Sequence, residues 1–264
     1  MGDRAHSERC DIPGVKLLEI IGRGSHSLVY RGTREGRTYA VKIQRPEVAD
    51  ATGEAALRFR REASILACLR HPGLPAILDL GEVDGRPYIV QEFVSGRTLT
   101  EVIADSPLAE ASIVAIGKRL AGALAEVHKR GMVHCDVKPD NILIDDSGGA
   151  RLIDFGFAVR ASASYERESV VGTLLYSAPE QSGMLKRPLD GRSDLYSLGV
   201  VLYECATGMP PFSHEEAGEL VRQHAVVPPQ SVRRTNPMLS PALAAIIDKL
   251  LAKDPDDRYP VSYT

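Results

Sequence analysis

The chain has 264 residues, of which 44% are hydrophobic, 25% charged and 5% aromatic. That apolar share supports a packed core and excludes disorder throughout, and the length suits one large domain or two small ones. Thirty-two basic against 35 acidic residues leave a formal net charge of −3, so neither nucleic acid nor an anionic membrane surface meets an electrostatic footprint. No run of about 18 apolar residues is present, and the opening 11 residues lack the apolar stretch of a secretory signal. Gly2 suggests myristoylation, but His6 stands where that pattern wants Ser or Thr. Cys10, Cys68, Cys135 and Cys205 lie far apart without metal-ligand spacing, so the expectation is a reduced, cytoplasmic protein.

Residues 1–14 read as a polar leader ending at Pro13-Gly14. Strands are predicted over 15–21 and 28–32, separated by Gly22-Arg23-Gly24-Ser25-His26-Ser27, and over 37–44, where β-formers alternate. From about 54 to 70 the pattern turns helical, with Leu57, Ile65, Leu66 and Leu69 on one side, until His71-Pro72-Gly73 stops it. Two strands, 76–83 and 87–93, are joined by Asp84-Gly85. After Ser95-Gly96 the character changes. Residues 109–130 form a long amphipathic helix with Ile113, Ile116, Leu120, Leu124 and Val127 along one side. Over 194–207 apolar residues spread around most of the helix, which predicts burial on nearly all sides. Ser240-Pro241 opens another helix with an N-cap and a first-turn proline. A β-rich part therefore precedes a helical part, with a seam near 93–97.

The glycines of the 22–27 segment let backbone amides approach phosphate oxygens, although a ligand-free glycine hairpin reads the same way. A strand rather than a helix follows, which excludes a dinucleotide fingerprint, and no GxxxxGK[ST] sequence exists. Lys42 puts a cation on an otherwise apolar strand. Alone it reads as a surface lysine; with Glu62 on the helix 20 residues later it reads as an ammonium held for phosphate. In His134-Cys135-Asp136-Val137-Lys138-Pro139-Asp140-Asn141, Asp, Lys and Asn supply a proton acceptor, a phosphate-facing cation and a metal-binding oxygen within one loop. Eighteen residues after Asp136 comes Asp154-Phe155-Gly156, a second carboxylate that suits Mg²⁺.

With these motifs in order, joined by Ala178-Pro179-Glu180, the chain resembles a eukaryotic-type (Hanks-type) protein kinase catalytic domain over about residues 15–260. The resemblance implies an α+β, bilobal fold: an antiparallel β-rich N-lobe with one helix over 15–93 and a mainly helical C-lobe over 94–264. It also implies ATP and Mg²⁺. Lys42 would grip the ATP phosphates and pair with Glu62, Asp136 would orient the substrate hydroxyl, and Lys138 would neutralise the transferring phosphoryl. Asn141 and Asp154 would hold Mg²⁺. Ile21, Gly22 and Gly24 belong to the nucleotide loop. Val29 and Ala40 would cover adenine from one side and Leu143 from the other. Glu92 to Val94 would offer backbone hydrogen bonds, with Gln91 guarding a rear pocket. Glu180 should pair with Arg258, and Asp194 should brace the catalytic loop. The remaining histidines show no chemistry at this level.

Asp136-Val137-Lys138-Pro139 resembles the serine/threonine branch, Phe157 leans towards serine acceptors, and Pro179-Glu180-Gln181 looks bacterial. The implied activity is transfer of the γ-phosphate of ATP to serine or threonine hydroxyls of a protein substrate; the alternative is a pseudokinase that binds ATP without transfer. Ser27 replaces the third loop glycine. Cys135 replaces the usual arginine, so phosphate at Ser162, Ser164, Ser169 or Thr173 loses its main cationic partner. The chain stops at Thr264, where the family continues into one more helix. The expectation is the N-terminal part of a larger signalling protein with further C-terminal domains and no membrane segment here.

Overall fold

A computed structural model describes residues 11–24, 27–45, 59–60, 63–64, 67–161 and 174–261. The chain divides into two compact units, residues 1–69 with 75–94 and residues 70–74 with 95–264.

In the first unit, β-branched and aromatic side chains at alternating positions favour extended backbone. Strands β1 (Lys16–Arg23), β2 (Ser27–Arg34), β3 (Arg37–Gln44), β4 (Ile77–Val83) and β5 (Arg86–Glu92) form one antiparallel sheet in the order β1-β2-β3-β5-β4. Both two-residue hairpin turns, Glu35-Gly36 and Asp84-Gly85, hold positive φ at each position (50° and 75°, 50° and 72°), the geometry that matches strand twist. The period of two sorts the faces. Val41, Ile43, Tyr88 and Val90 pack with Ile12 and Val15 on one side, while Ile89 meets Phe59 and Ala63 on the other. Of the helix read over 54–70, residues 59–60, 63–64 and 67–68 are helical; Leu57, Ile65 and Leu66 lie outside the described residues.

The second unit holds helices α1 (Leu99–Asp105), α2 (Glu110–His128), α3 (Gly191–Thr207), α4 (Ala217–Val226), α5 (Val232–Thr235) and α6 (Pro241–Leu250). Short strands β6 (Gly96–Thr98), β8 (Ile142–Asp145) and β9 (Ala150–Leu152) form one sheet, and β7 (Met132–Val133) pairs with β10 (Val159–Arg160). Residues 70–74 join this unit because Leu152 N–H donates to the Gly73 carbonyl at 2.8 Å.

The anticipated stripe on α2 is buried in full: Ile113, Ile116, Leu120, Leu124 and Val127. Each such side chain contributes about 1.5–3 kcal/mol of transfer free energy. Helix α3 starts three residues before the predicted 194 because the Asp190 carboxylate caps it, accepting from Arg192 N–H at 2.9 Å. Gly199 lets α6 approach α3 closely, since a Cβ there would stand 2.7 Å from Leu250 Cβ. Ser240 caps α6 as read, its hydroxyl accepting from Leu243 N–H at 3.2 Å. Helix α1 was not anticipated. Thr98 and Glu101 close a capping box around its start, at 3.2 and 2.8 Å. Among the described residues no helix is long and apolar enough to cross a membrane.

Candidate active site

In the sheet unit, register gathers the nucleotide-loop candidates. Val29 stands opposite both Gly22 and Lys42, and Ala40 stands opposite Gln91, so Val29, Ala40, Lys42 and Gln91 share one face. Lys42 is only 7% exposed, with Nζ 6.0 Å from the Phe59 ring centroid, which makes it a buried cation rather than a surface lysine. Glu62 lies outside the described residues. Gly24 N–H donates to the Ser27 carbonyl at 2.9 Å, closing the turn after β1, and Ile21 at the end of that strand is exposed. At the end of β5 Glu92 N–H is committed to the Ala76 carbonyl at 2.8 Å, and the Glu92 carboxylate accepts from Ala76 N–H at 3.3 Å. Glu92 therefore offers no free N–H here, a refinement of the sequence reading. Val94 is half-buried beyond the end of β5.

In the helical unit the catalytic-loop candidates form one hydrogen-bonded set. Asp136 is 5% exposed, and its Oδ2 lies 2.9 Å from Lys138 Nζ and 2.8 Å from Asn141 Nδ2. Asn141 Nδ2 also donates to the Asp136 carbonyl at 2.9 Å. Both amide hydrogens thus face Asp136, which leaves the amide oxygen of Asn141 as the atom for a cation. The Asn141 carbonyl accepts from Ile153 N–H at 2.8 Å, and this bond seats the following residue, Asp154, beside it in the chain. Asp154 has φ of 67°, and its Oδ1 accepts from Gly156 N–H at 3.0 Å. Leu143 is half-buried on β8, paired between Thr98 and Arg151.

A left-handed non-glycine residue needs compensation. Cys135, with φ of 66°, obtains it from Asp194 on α3. The Asp194 carboxylate accepts from Cys135 N–H, His134 N–H and His128 Nε2, each at 2.8 Å. His134 is fully buried, edge-on to Phe155 at 4.5 Å, and its Nδ1 accepts from Asp136 N–H at 3.2 Å. Burial holds its pKa below the usual imidazole value although Asp194, Asp136 and Asp154 all pull the other way. The ring is therefore a neutral spacer between carboxylates.

The 178–182 segment is fastened to the same loop. Glu180 and Arg258 form a bidentate pair at 2.6 and 3.0 Å with both side chains essentially inaccessible, and Arg258 also donates to the carbonyls of Ala252, Lys253 and Arg192. Full satisfaction of the guanidinium is what makes such burial tolerable. Two of these contacts, Glu180–Arg258 and Asp194 to the loop, match the sequence reading. Gln181 was missed: its Nε2 donates to the Cys135 carbonyl and its Oε1 accepts from Ala178 N–H, both at 2.9 Å. Its place in the first turn after Pro179 was the available signal. His128 was also read as silent, yet it is a partner of Asp194.

The donors fit a hard divalent cation. Asn141 and Asp154 bring an amide oxygen and a carboxylate, and among the described residues no group of three or more His, Cys, Asp or Glu could hold a metal. A cation held by these two residues would need further oxygens, such as those of a phosphate, to fill its shell.

Comparison with known proteins agrees with this geometry. The family model described as protein kinase domain matches residues 15–263. Serine/threonine-protein kinase PknB of Mycolicibacterium smegmatis is 40% identical over 256 residues, covering 92% of this chain and 40% of that protein. PrkC of Bacillus subtilis is 39% identical, with 92% and 38% covered, and Pkn1 of Myxococcus xanthus is 37% identical, with 92% and 36% covered. The chain spans about two fifths of the length of these curated relatives. Protein kinases use ATP with a divalent metal ion, and the match over nearly its whole length shows that this chain belongs to the protein kinase domain family.

Proposed function

We propose that this chain transfers the γ-phosphate of ATP to serine or threonine hydroxyls of proteins, with Mg²⁺ as the metal ion and the cytoplasm as its setting. The observation that carries the reading is the Asp136 carboxylate, nearly buried yet held on one oxygen by Lys138 and Asn141. A base locked in this way can orient a hydroxyl and take its proton without first reorganising. Lys138, beside it, supplies positive charge for the phosphoryl group as negative charge spreads over its oxygens. Lys42, with Glu62 as its intended partner, takes the phosphates nearer the nucleoside, and the backbone around Gly22 and Gly24 covers them. Val29, Ala40 and Leu143 give adenine apolar contacts, Ile21 lies at the rim, and Glu92 to Val94 supply polar backbone groups. Asn141 and Asp154 would hold Mg²⁺, which would offset the negative charge of the phosphate oxygens.

The test is transfer from labelled ATP with Mg²⁺ to the chain itself and to a histone mixture, beside Asp136→Asn. Transfer by the parent and not by the variant supports the reading. ATP that raises the melting temperature without transfer by the parent overturns it in favour of a binding module.

A further inference from the structure

Gln181 reaches the catalytic loop one peptide ahead of Asp136. Its side chain is buried between two main-chain groups of fixed polarity. Ala178 N–H can only donate and the Cys135 carbonyl can only accept. The amide therefore has one orientation, its oxygen on Ala178 and its Nε2 on Cys135, both at 2.9 Å. The base of this contact is rigid. Gln181 lies in the short turn Pro179–Ser182, and Glu180 beside it accepts from Ser193 Oγ at 2.7 Å as well as from Arg258. Ser193 and Asp194 are neighbours on α3, so the grip on Glu180 and the grip on Cys135 N–H start from adjacent residues of one helix.

A planar peptide carries its carbonyl and its N–H on opposite edges. The peptide between Cys135 and Asp136 is held on both: its carbonyl by Gln181 at 2.9 Å, its N–H by His134 Nδ1 at 3.2 Å. The peptide before it is held at Cys135 N–H by Asp194, and the one after it at the Asp136 carbonyl by Asn141, at 2.8 and 2.9 Å. With the planes on either side of Asp136 fixed, its φ and ψ are fixed, and so is the direction of its Cα–Cβ bond. Without Gln181 the preceding plane loses its shorter bond and retains the 3.2 Å bond to a neutral ring. Cys135, at φ of 66°, then has strain to release through that plane.

We infer that Gln181 is a positioning residue for phosphoryl transfer: by holding the carbonyl of the peptide ahead of Asp136, it sets the direction in which the Asp136 carboxylate meets the acceptor hydroxyl. The effect on transfer rests on the proposed kinase activity; the hold on the peptide does not.

The experiment uses the full chain and two variants. Gln181→Met keeps the length of the side chain and removes both polar ends. Gln181→Glu keeps an oxygen for Ala178 N–H but can donate to the Cys135 carbonyl only while its carboxyl is protonated. Single turnovers with a histone mixture would give the transfer rate, steady-state kinetics both KM values, and NMR the exchange of the Cys135 and Asp136 amides. In Gln181→Met, transfer should be at least tenfold slower, with KM for ATP and for histone within twofold of the parent. Exchange at Asp136 N–H should be at least tenfold faster, and at Cys135 N–H, held by Asp194, within threefold. In Gln181→Glu the transfer rate relative to the parent should fall at least fivefold between pH 6 and pH 9. His134, Asp136, Glu180, Asp194, His224 and Arg258, with every other titratable group, are common to both proteins, so the ratio cancels their titration. An unchanged transfer rate in Gln181→Met, a loss that appears in either KM instead, or unchanged exchange at Asp136 would overturn the inference. So would a Gln181→Glu ratio that does not change with pH. If Gln181→Met does not fold, Gln181→Glu decides. If the parent transfers no phosphate, the kinase reading fails, and amide exchange still decides the hold on the peptide.

Discussion

Two aspartates, Asp136 and Asp194, differ in what they are bonded to, and that difference separates chemistry from scaffold. Asp194 is 1% exposed and accepts from two backbone N–H groups and the His128 ring. Its partners fix the main chain. Asp136 is 5% exposed and is bonded through its side chain to the side chains of Lys138 and Asn141. Its partners fix a reactive oxygen. One carboxylate holds the left-handed turn at Cys135, and the other uses the position that the turn creates.

Asp136→Asn is the sharpest way to separate them. The replacement keeps the size of the side chain and its burial but removes the proton acceptor. Phosphate transfer should fall by about 10²–10⁴-fold. The melting temperature should stay within a few degrees of the parent's. Transfer assays and a thermal melt on the same sample check both halves of this expectation.

Asp194→Ala should show the reverse order of damage. It leaves His134 N–H, Cys135 N–H and the His128 ring without their buried acceptor, which costs about 3–5 kcal/mol. Chemical denaturation would read this directly, and activity should fall with stability rather than ahead of it. A melting temperature unchanged from the parent's would show that the Cys135 turn stands without Asp194.

Much of this contrast was legible in the sequence, for physical reasons that differ by region. The period of two in 37–44 and the Asp84-Gly85 pair specify strands and a hairpin locally, and the structure has them. The α2 stripe was equally plain because 3.6-residue periodicity needs no tertiary information. Asp136, Asn141 and Asp154 were picked out by residue type and spacing. What spacing could not carry was the bonding among them, in which both Asn141 amide hydrogens turn to Asp136. Helix α1 escaped because its seven residues are too few for periodicity to stand out, and its signal is the Thr98 and Glu101 cap. His128 and His224 were silent because their partners, Asp194 and Tyr196, are 66 and 28 residues away.

His224 extends the comparison to a buried polar group with no carboxylate beside it. The folded state holds it neutral down to about pH 3, whereas the unfolded chain takes up a proton near 6.5. Between those values unfolding binds a proton, so the stability that is complete above pH 6.5 is lost as pH falls through the window. From pH 7 to 4.5 the parent should lose about 2–3 kcal/mol more than His224→Gln. Urea titrations of both proteins at the two pH values measure the difference. Equal losses would mean that the site admits the imidazolium.

The smallest effect should come from the stretch that holds Ser162, Ser164, Ser169 and Thr173, and it follows from Cys135 itself. Its backbone amide belongs to the Asp194 set, while its side chain is buried in a cluster with Val133 and Leu189 against which Phe157, Val159 and Ala161 pack. The position that carries arginine in the resemblance therefore contributes apolar contact instead of positive charge, and the catalytic loop is braced by Asp194 and Gln181 without a phosphate. Ser162, Ser164, Ser169 and Thr173 lie outside the described residues. Replacing the three serines with Ala, or with Glu to imitate phosphate, should change transfer by less than tenfold, under about 1.4 kcal/mol of barrier. A larger change would show that phosphate on this segment finds a cation other than the one lost at Cys135. Cys135→Arg should not restore such control: it would bring a guanidinium into the apolar cluster, and the expected result is lower stability in a thermal melt without a gain in dependence on phosphate.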